Sequence, residues 1–112
     1  MTGAARPHLV AVLAFDGVQL LDVTGPAEVF TTSNGHGGRY DVRIVSVTGQ
    51  DVRTCGGIRL GADGSLGSLP ERLGTLLVPG RRDWWRAVDD ATLTSGVRDL
   101  GGRSRRVASV CA

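Results

Sequence analysis

Cys111 is the residue in this chain best suited to covalent chemistry. It follows a short apolar run, Val107-Ala108-Ser109-Val110, which is itself led by Arg105-Arg106. In a parallel sheet, a strand that ends on a thiol and then passes through a tight turn into a helix holds its sulfur up at the carboxyl edge, where it can act as a nucleophile. Asp22, which follows the first apolar run of the chain, is the carboxyl that such a sheet brings within reach. A carboxyl beside a thiol couples the two titrations, so that the pair shares one proton. The chemistry this predicts is attack of a thiolate on an electrophilic carbon, with the carboxyl managing the proton. Against it stands the common fate of a free cysteine as a small buried hydrophobe, and of an aspartate in a helical region as a solvated side chain.

The remaining reactive side chains offer less. Glu28 matches the positive end of a helix dipole. His8 at a strand entrance and His36 in a glycine-rich loop have no partner that would make either a base. Cys55 is expected to pack as a small residue. Trp84-Trp85 are expected to pack, with a subunit contact as the alternative. Cys55 and Cys111 lack Cys-x-x-Cys spacing and a nearby histidine pair, so no zinc site is expected, while a disulfide between them stays open.

These side chains need elements to carry them. His8 to Phe15 is a continuous apolar run with the pattern of a central strand buried on both faces. Asp16-Gly17 turns the chain, the pattern starts a helix at Gly25-Pro26, and Asn34-Gly35 stops it. Tyr40 to Thr48 suits a strand near a sheet edge, and Gly56-Gly57 joins two short strands into a hairpin. Ser68 to Leu73 reads as one helical turn and Thr75 to Gly80 as a buried strand. Asp89-Asp90 cap a helix whose inner face is Leu93, Val97 and Leu100, and Val107 to Val110 form the last strand. Alternation of this kind predicts a doubly wound parallel sheet, with ligands outside the carboxyl ends of its strands. Three segments lie there: Asp16 to Asp22, Pro79 to Arg82, and Cys111. A site composed of the three is the geometric expectation.

Composition constrains the partners. The 112 residues are 41% hydrophobic and 21% charged, as in an ordinary globular protein. The 13 basic residues, all arginine, exceed the 11 acidic ones by too little, and are too scattered, to predict nucleic-acid binding. The run Leu9 to Phe15 is too short to span a membrane and lacks a signal-peptide cleavage site, so a cytoplasmic setting is expected and no membrane partner.

Leu21-Asp22-Val23-Thr24-Gly25-Pro26-Ala27-Glu28-Val29-Phe30, the strand end Leu77-Val78-Pro79-Gly80, and Arg106-Val107-Ala108-Ser109-Val110-Cys111 together resemble the N-terminal half of a DJ-1/PfpI superfamily domain, which is similar to class I glutamine amidotransferases. The resemblance runs from His8 onward. It implies a partial flavodoxin-like doubly wound parallel sheet with a small hairpin, with residues 1–7 as a tail and residues 8–112 as the N-terminal half of the domain, truncated at the nucleophile elbow. It makes Cys111 the elbow nucleophile and Asp22 its acidic partner, and it starts the helix early enough to contain Asp22. The family commonly has two glycines after the proline of the middle strand, with backbone N–H groups near the cysteine. Here Gly80 is followed by Arg81, which departs from that pattern at the oxyanion loop.

The look-alikes are the sensor domains of AraC-family transcription regulators and the isocyanide hydratases. Three readings follow: part of a small-molecule-sensing or dimerisation domain of such a regulator, which is favoured; a truncated isocyanide hydratase-like cysteine enzyme; or an inactive fragment. No cofactor or metal is implied. The partners implied are an unidentified small molecule, a second copy in the complete protein, and DNA only through a C-terminal domain these residues do not contain. Without a following helix, and with the Ala112 carboxylate one residue away, the Cys111 thiol is expected to be ordinary or less acidic.

Overall fold

A computed structural model describes residues 6–110. Cys111 and Ala112 lie outside the described residues. Five strands form one parallel sheet: β1 (His8–Leu13), β2 (Tyr40–Ser46), β5 (Gly64–Ser65), β6 (Leu73–Val78) and β7 (Ser104–Ser109), in the order β5-β2-β1-β6-β7. The α/β class and the parallel sheet are those the sequence predicts. β1 is central, and Val10, Ala11, Val12 and Leu13 have no exposed surface at all. Since successive side chains of a strand point to opposite faces, both faces of β1 are covered. From the centre the chain steps one way, β1 to β2, through helix α1 (Leu20–Ser33), and the other way, β6 to β7, through α2 (Trp84–Asp89) and α3 (Ala91–Gly102). Right-handed crossovers in opposite directions put α1 and α3 on opposite faces, and the switch point falls between β1 and β6.

α1 starts five residues before the Gly25 that the pattern selects. The reason is tertiary. Val23 is fully buried, and the Asp22 carboxylate accepts from the Gly80 N–H beyond the end of β6, so the first turn is held against the sheet before the proline is reached. Pro26 then lies inside the helix. It contributes no N–H there, and Gly25 before it has no Cβ to meet the proline ring. At the other end Asn34 ties the helix to β2: its Nδ2 donates to the Tyr40 carbonyl and its Oδ1 accepts from the Tyr40 N–H, both at 2.8 Å.

The hairpin around Gly57 is present as β3 (Val52–Arg53) and β4 (Arg59–Leu60), antiparallel, with Gly57 at φ 87°. α3 is capped as expected, the Asp90 Oδ1 accepting from the Leu93 N–H at 3.1 Å, and it buries Leu93 and Leu100. The helical turn expected at Ser68 to Leu73 sits earlier, as a 3-10 turn at Leu66–Ser68, because Leu73 already belongs to β6. α2 has no counterpart in the pattern reading. It carries Trp84 and Trp85, which are 56% and 53% exposed and stack edge to face on each other, so the expectation that they pack into the core is corrected. No helix among the described residues is long and apolar enough to cross a membrane.

Candidate functional site

The loop after β1 and the loop after β6 meet at the switch point. Val18 and Arg81 form an isolated antiparallel bridge, and the Gln19 N–H donates to the Gly80 carbonyl at 2.9 Å. In return the Gly80 N–H donates to Asp22 Oδ2 at 3.2 Å, across 58 residues of sequence. Thus the structure brings together two of the three segments expected to share a site, and Asp22, Gly80 and Arg81 are neighbours. The third segment ends, within the described residues, at Val110, whose N–H donates to the Val78 carbonyl at 3.0 Å. That bond lays the residue before Cys111 alongside the β6 end from which Gly80 departs.

Arg81 fastens the two loops from below. Its Nη1 donates to the Asp16 carbonyl at 3.0 Å, while Nε and Nη2 fork onto the Asp83 carboxylate at 2.6 and 3.1 Å. The forked hydrogen bonds from this guanidinium, joined by the charges of Arg81 and Arg86, hold the Asp83 carboxyl below the usual aspartate range. The guanidinium lies directly under Gly17, at φ 88°, where any Cβ would overlap it. The backbone conformation favours glycine there, and a Cβ would in addition push the arginine away from its partners.

The hairpin closes the third side. The Gly17 N–H donates to the Arg53 carbonyl, the Arg53 N–H to Asp16 Oδ1, and the Cys55 N–H to the Val18 carbonyl, all within 2.8–3.0 Å. Cys55 is half-buried, with its thiol 3.4 Å from Gln19 Oε1. Sequence reasoning passed over Gly17 and Gln19. The Asp-Gly pair reads only as a turn, and nothing local says that a hairpin 36 residues later docks onto it. His8 is placed at the opposite edge of the sheet, its Nε2 2.8 Å from Thr75 Oγ1, and His36 and Glu28 are exposed.

Chemically, the arrangement offers a carboxylate with one oxygen engaged, a backbone amide already donated to it, and a loop held by a half-buried arginine. The DJ-1/PfpI family profile matches residues 8–112. The chain belongs to the DJ-1/PfpI family. This DJ-1/PfpI chain is 40% identical over 107 residues to a Streptomyces lividans protein described as an uncharacterized protein in the cpoL 5' region, covering 96% of this chain and 75% of that one. Its fold matches a THiJ/PfpI family protein from Pseudomonas syringae at TM-score 0.79 and 25% identity, covering 94% of this chain and 42% of the other. It also matches an AraC family transcriptional regulator from Pseudomonas putida at TM-score 0.69 and 17% identity, over 91% of this chain and 55% of that one. The chain therefore spans about half the length of these solved relatives.

Proposed function

We propose that this chain forms the N-terminal half of a DJ-1/PfpI domain that senses a small molecule, or mediates dimerisation, within an AraC-family transcription regulator. The observation that carries this reading is the state of the Gly80 amide. An acyl-transfer or hydration site needs backbone N–H groups free to meet a developing negative charge. Here the Gly80 N–H is given to Asp22, and the family's second glycine is replaced by Arg81, whose side chain is turned onto Asp83 and Asp16. Such a loop is built to hold its shape. The fold likeness to the Pseudomonas putida regulator supports the same reading. DNA contact belongs to a further domain of the full-length protein, and the cytoplasm keeps both cysteines as thiols. Footprinting the full-length gene product on its own upstream DNA tests the reading. Protection of a discrete operator is expected, and absence of any sequence-specific protection would overturn it.

A second reading is favoured by one contact. The Val110–Val78 hydrogen bond lays the residue before Cys111 against the end of β6, beside the loop that engages Asp22. In that reading the Cys111 sulfur adds to the terminal carbon of an isocyanide as its proton passes by way of Asp22 to the same carbon, giving a thioimidate, and water then adds to that carbon and expels the thiol to release the formamide. Conversion of an alkyl isocyanide to its N-substituted formamide by the full-length protein, abolished in Cys111→Ser, is the result that would establish it.

A further inference from the structure

A concavity of about 430 Å³ opens between the hairpin turn and the β6–α2 loop, lined by Gly17, Thr54, Cys55, Arg81, Arg82, Asp83 and Trp85. Neither Asp22 nor Gly80 lines it. Thr54 is 5% exposed, and its Oγ1 is the only buried side-chain oxygen or nitrogen among the described residues with no hydrogen-bond partner. Buried hydroxyls are ordinarily satisfied, so an orphan that lines a cavity calls for a partner from outside the chain. The charges on the rim are two arginines and one aspartate. Arg81 and Asp83 neutralise each other in a forked pair, whereas Arg82 makes no ion pair among the described residues. The wall therefore carries one uncompensated positive charge. Trp85, half exposed at the same rim, offers a flat apolar face.

We infer that this concavity is a binding site for a small organic monoanion, a carboxylate with a flat apolar body. Arg82 meets the carboxylate, the Thr54 hydroxyl completes its hydrogen bonding, and Trp85 covers the apolar part. A guanidinium pairs with a planar carboxylate by forked hydrogen bonds. One net positive charge matches a monoanion better than a doubly charged phosphate. The inference rests on the sensing reading for its biological meaning and supplies the ligand class that reading lacks.

Benzoate is the smallest probe with both features, and benzamide is its neutral counterpart. Binding is read as protection of Cys55 from iodoacetamide in the full chain, quantified on the tryptic peptide Thr54–Arg59, which keeps Cys55 separate from Cys111. Saturable protection by benzoate with a Kd below about 1 mM is expected, with benzamide at least about tenfold weaker and Arg82→Gln removing that difference. Thr54→Val makes a second test. Removing an unpartnered hydroxyl is expected to raise the melting temperature of the free protein while weakening benzoate, a divergence that a purely structural residue does not produce. Unsaturable protection, equal binding of benzamide, or an unaltered affinity in Arg82→Gln overturns the site, leaving the regulator reading intact. Tight benzoate binding with no effect on operator affinity of the full-length protein supports the site and counts against sensing.

Discussion

The contact between Asp22 and the Gly80 amide is a single hydrogen bond that joins two loops far apart in sequence. Asp22→Ala leaves a half-buried amide without its acceptor and is expected to cost about 1–2 kcal/mol, read as a fall in the urea midpoint, with Asp22→Asn costing less because the acceptor remains. Gly17→Ala is expected to cost about 1–3 kcal/mol, since it adds a positive-φ penalty to an overlap with Arg81. In a Gly17→Ala, Arg81→Ala double variant the overlap disappears, so the two losses should sum to more than the double variant shows. Asp83 gives a pH signature. Its folded-state pKa is depressed, so the stability it contributes is present above the ordinary aspartate value of about 4 and is lost as pH falls through the lower folded value. Asp83→Asn should flatten that part of the acid limb in urea midpoints measured between roughly pH 5 and pH 3. At this scale the sequence exposed the strand-end positions of Asp22 and Gly80, because strand ends are legible from apolar runs. It hid Gly17, Gln19 and Thr54, whose meaning depends on contacts made across dozens of residues.

Elements were most legible where local chemistry and tertiary demand agree. Asp90 is a capping residue in both sequence and structure, and Asp90→Ala should lower stability by about 1 kcal/mol in equilibrium unfolding. Gly56-Gly57 makes a hairpin turn from its own backbone preferences. Where the two demands diverge, the pattern misleads. The glycine and proline, as local stop-and-start signals, predict a late start for α1, whereas burial of Val23 starts the helix at Leu20. α2 escaped because six residues with two exposed tryptophans show no periodic apolar face.

On the scale of the whole molecule the sheet is asymmetric. β1 is buried from Leu9 to Leu13, while Arg105 to Ser109 of β7 are exposed, with Val107 at 56%, and among the described residues only β6 pairs with that strand. An exposed strand at the sheet edge templates pairing with another chain. Expressed as these 112 residues, the protein is expected to associate as concentration rises, and Val107→Lys should raise the threshold seen by light scattering. The central position of β1 has a consequence for synthesis. His8–Leu13 leaves the ribosome ahead of the other strands of this sheet, yet its β6 partner begins only at Leu73. At about 5–20 residues per second, those roughly 60 intervening residues keep one edge of the most apolar strand unpaired for some 3–12 seconds. During that interval the future centre of the sheet exposes an unpaired apolar edge.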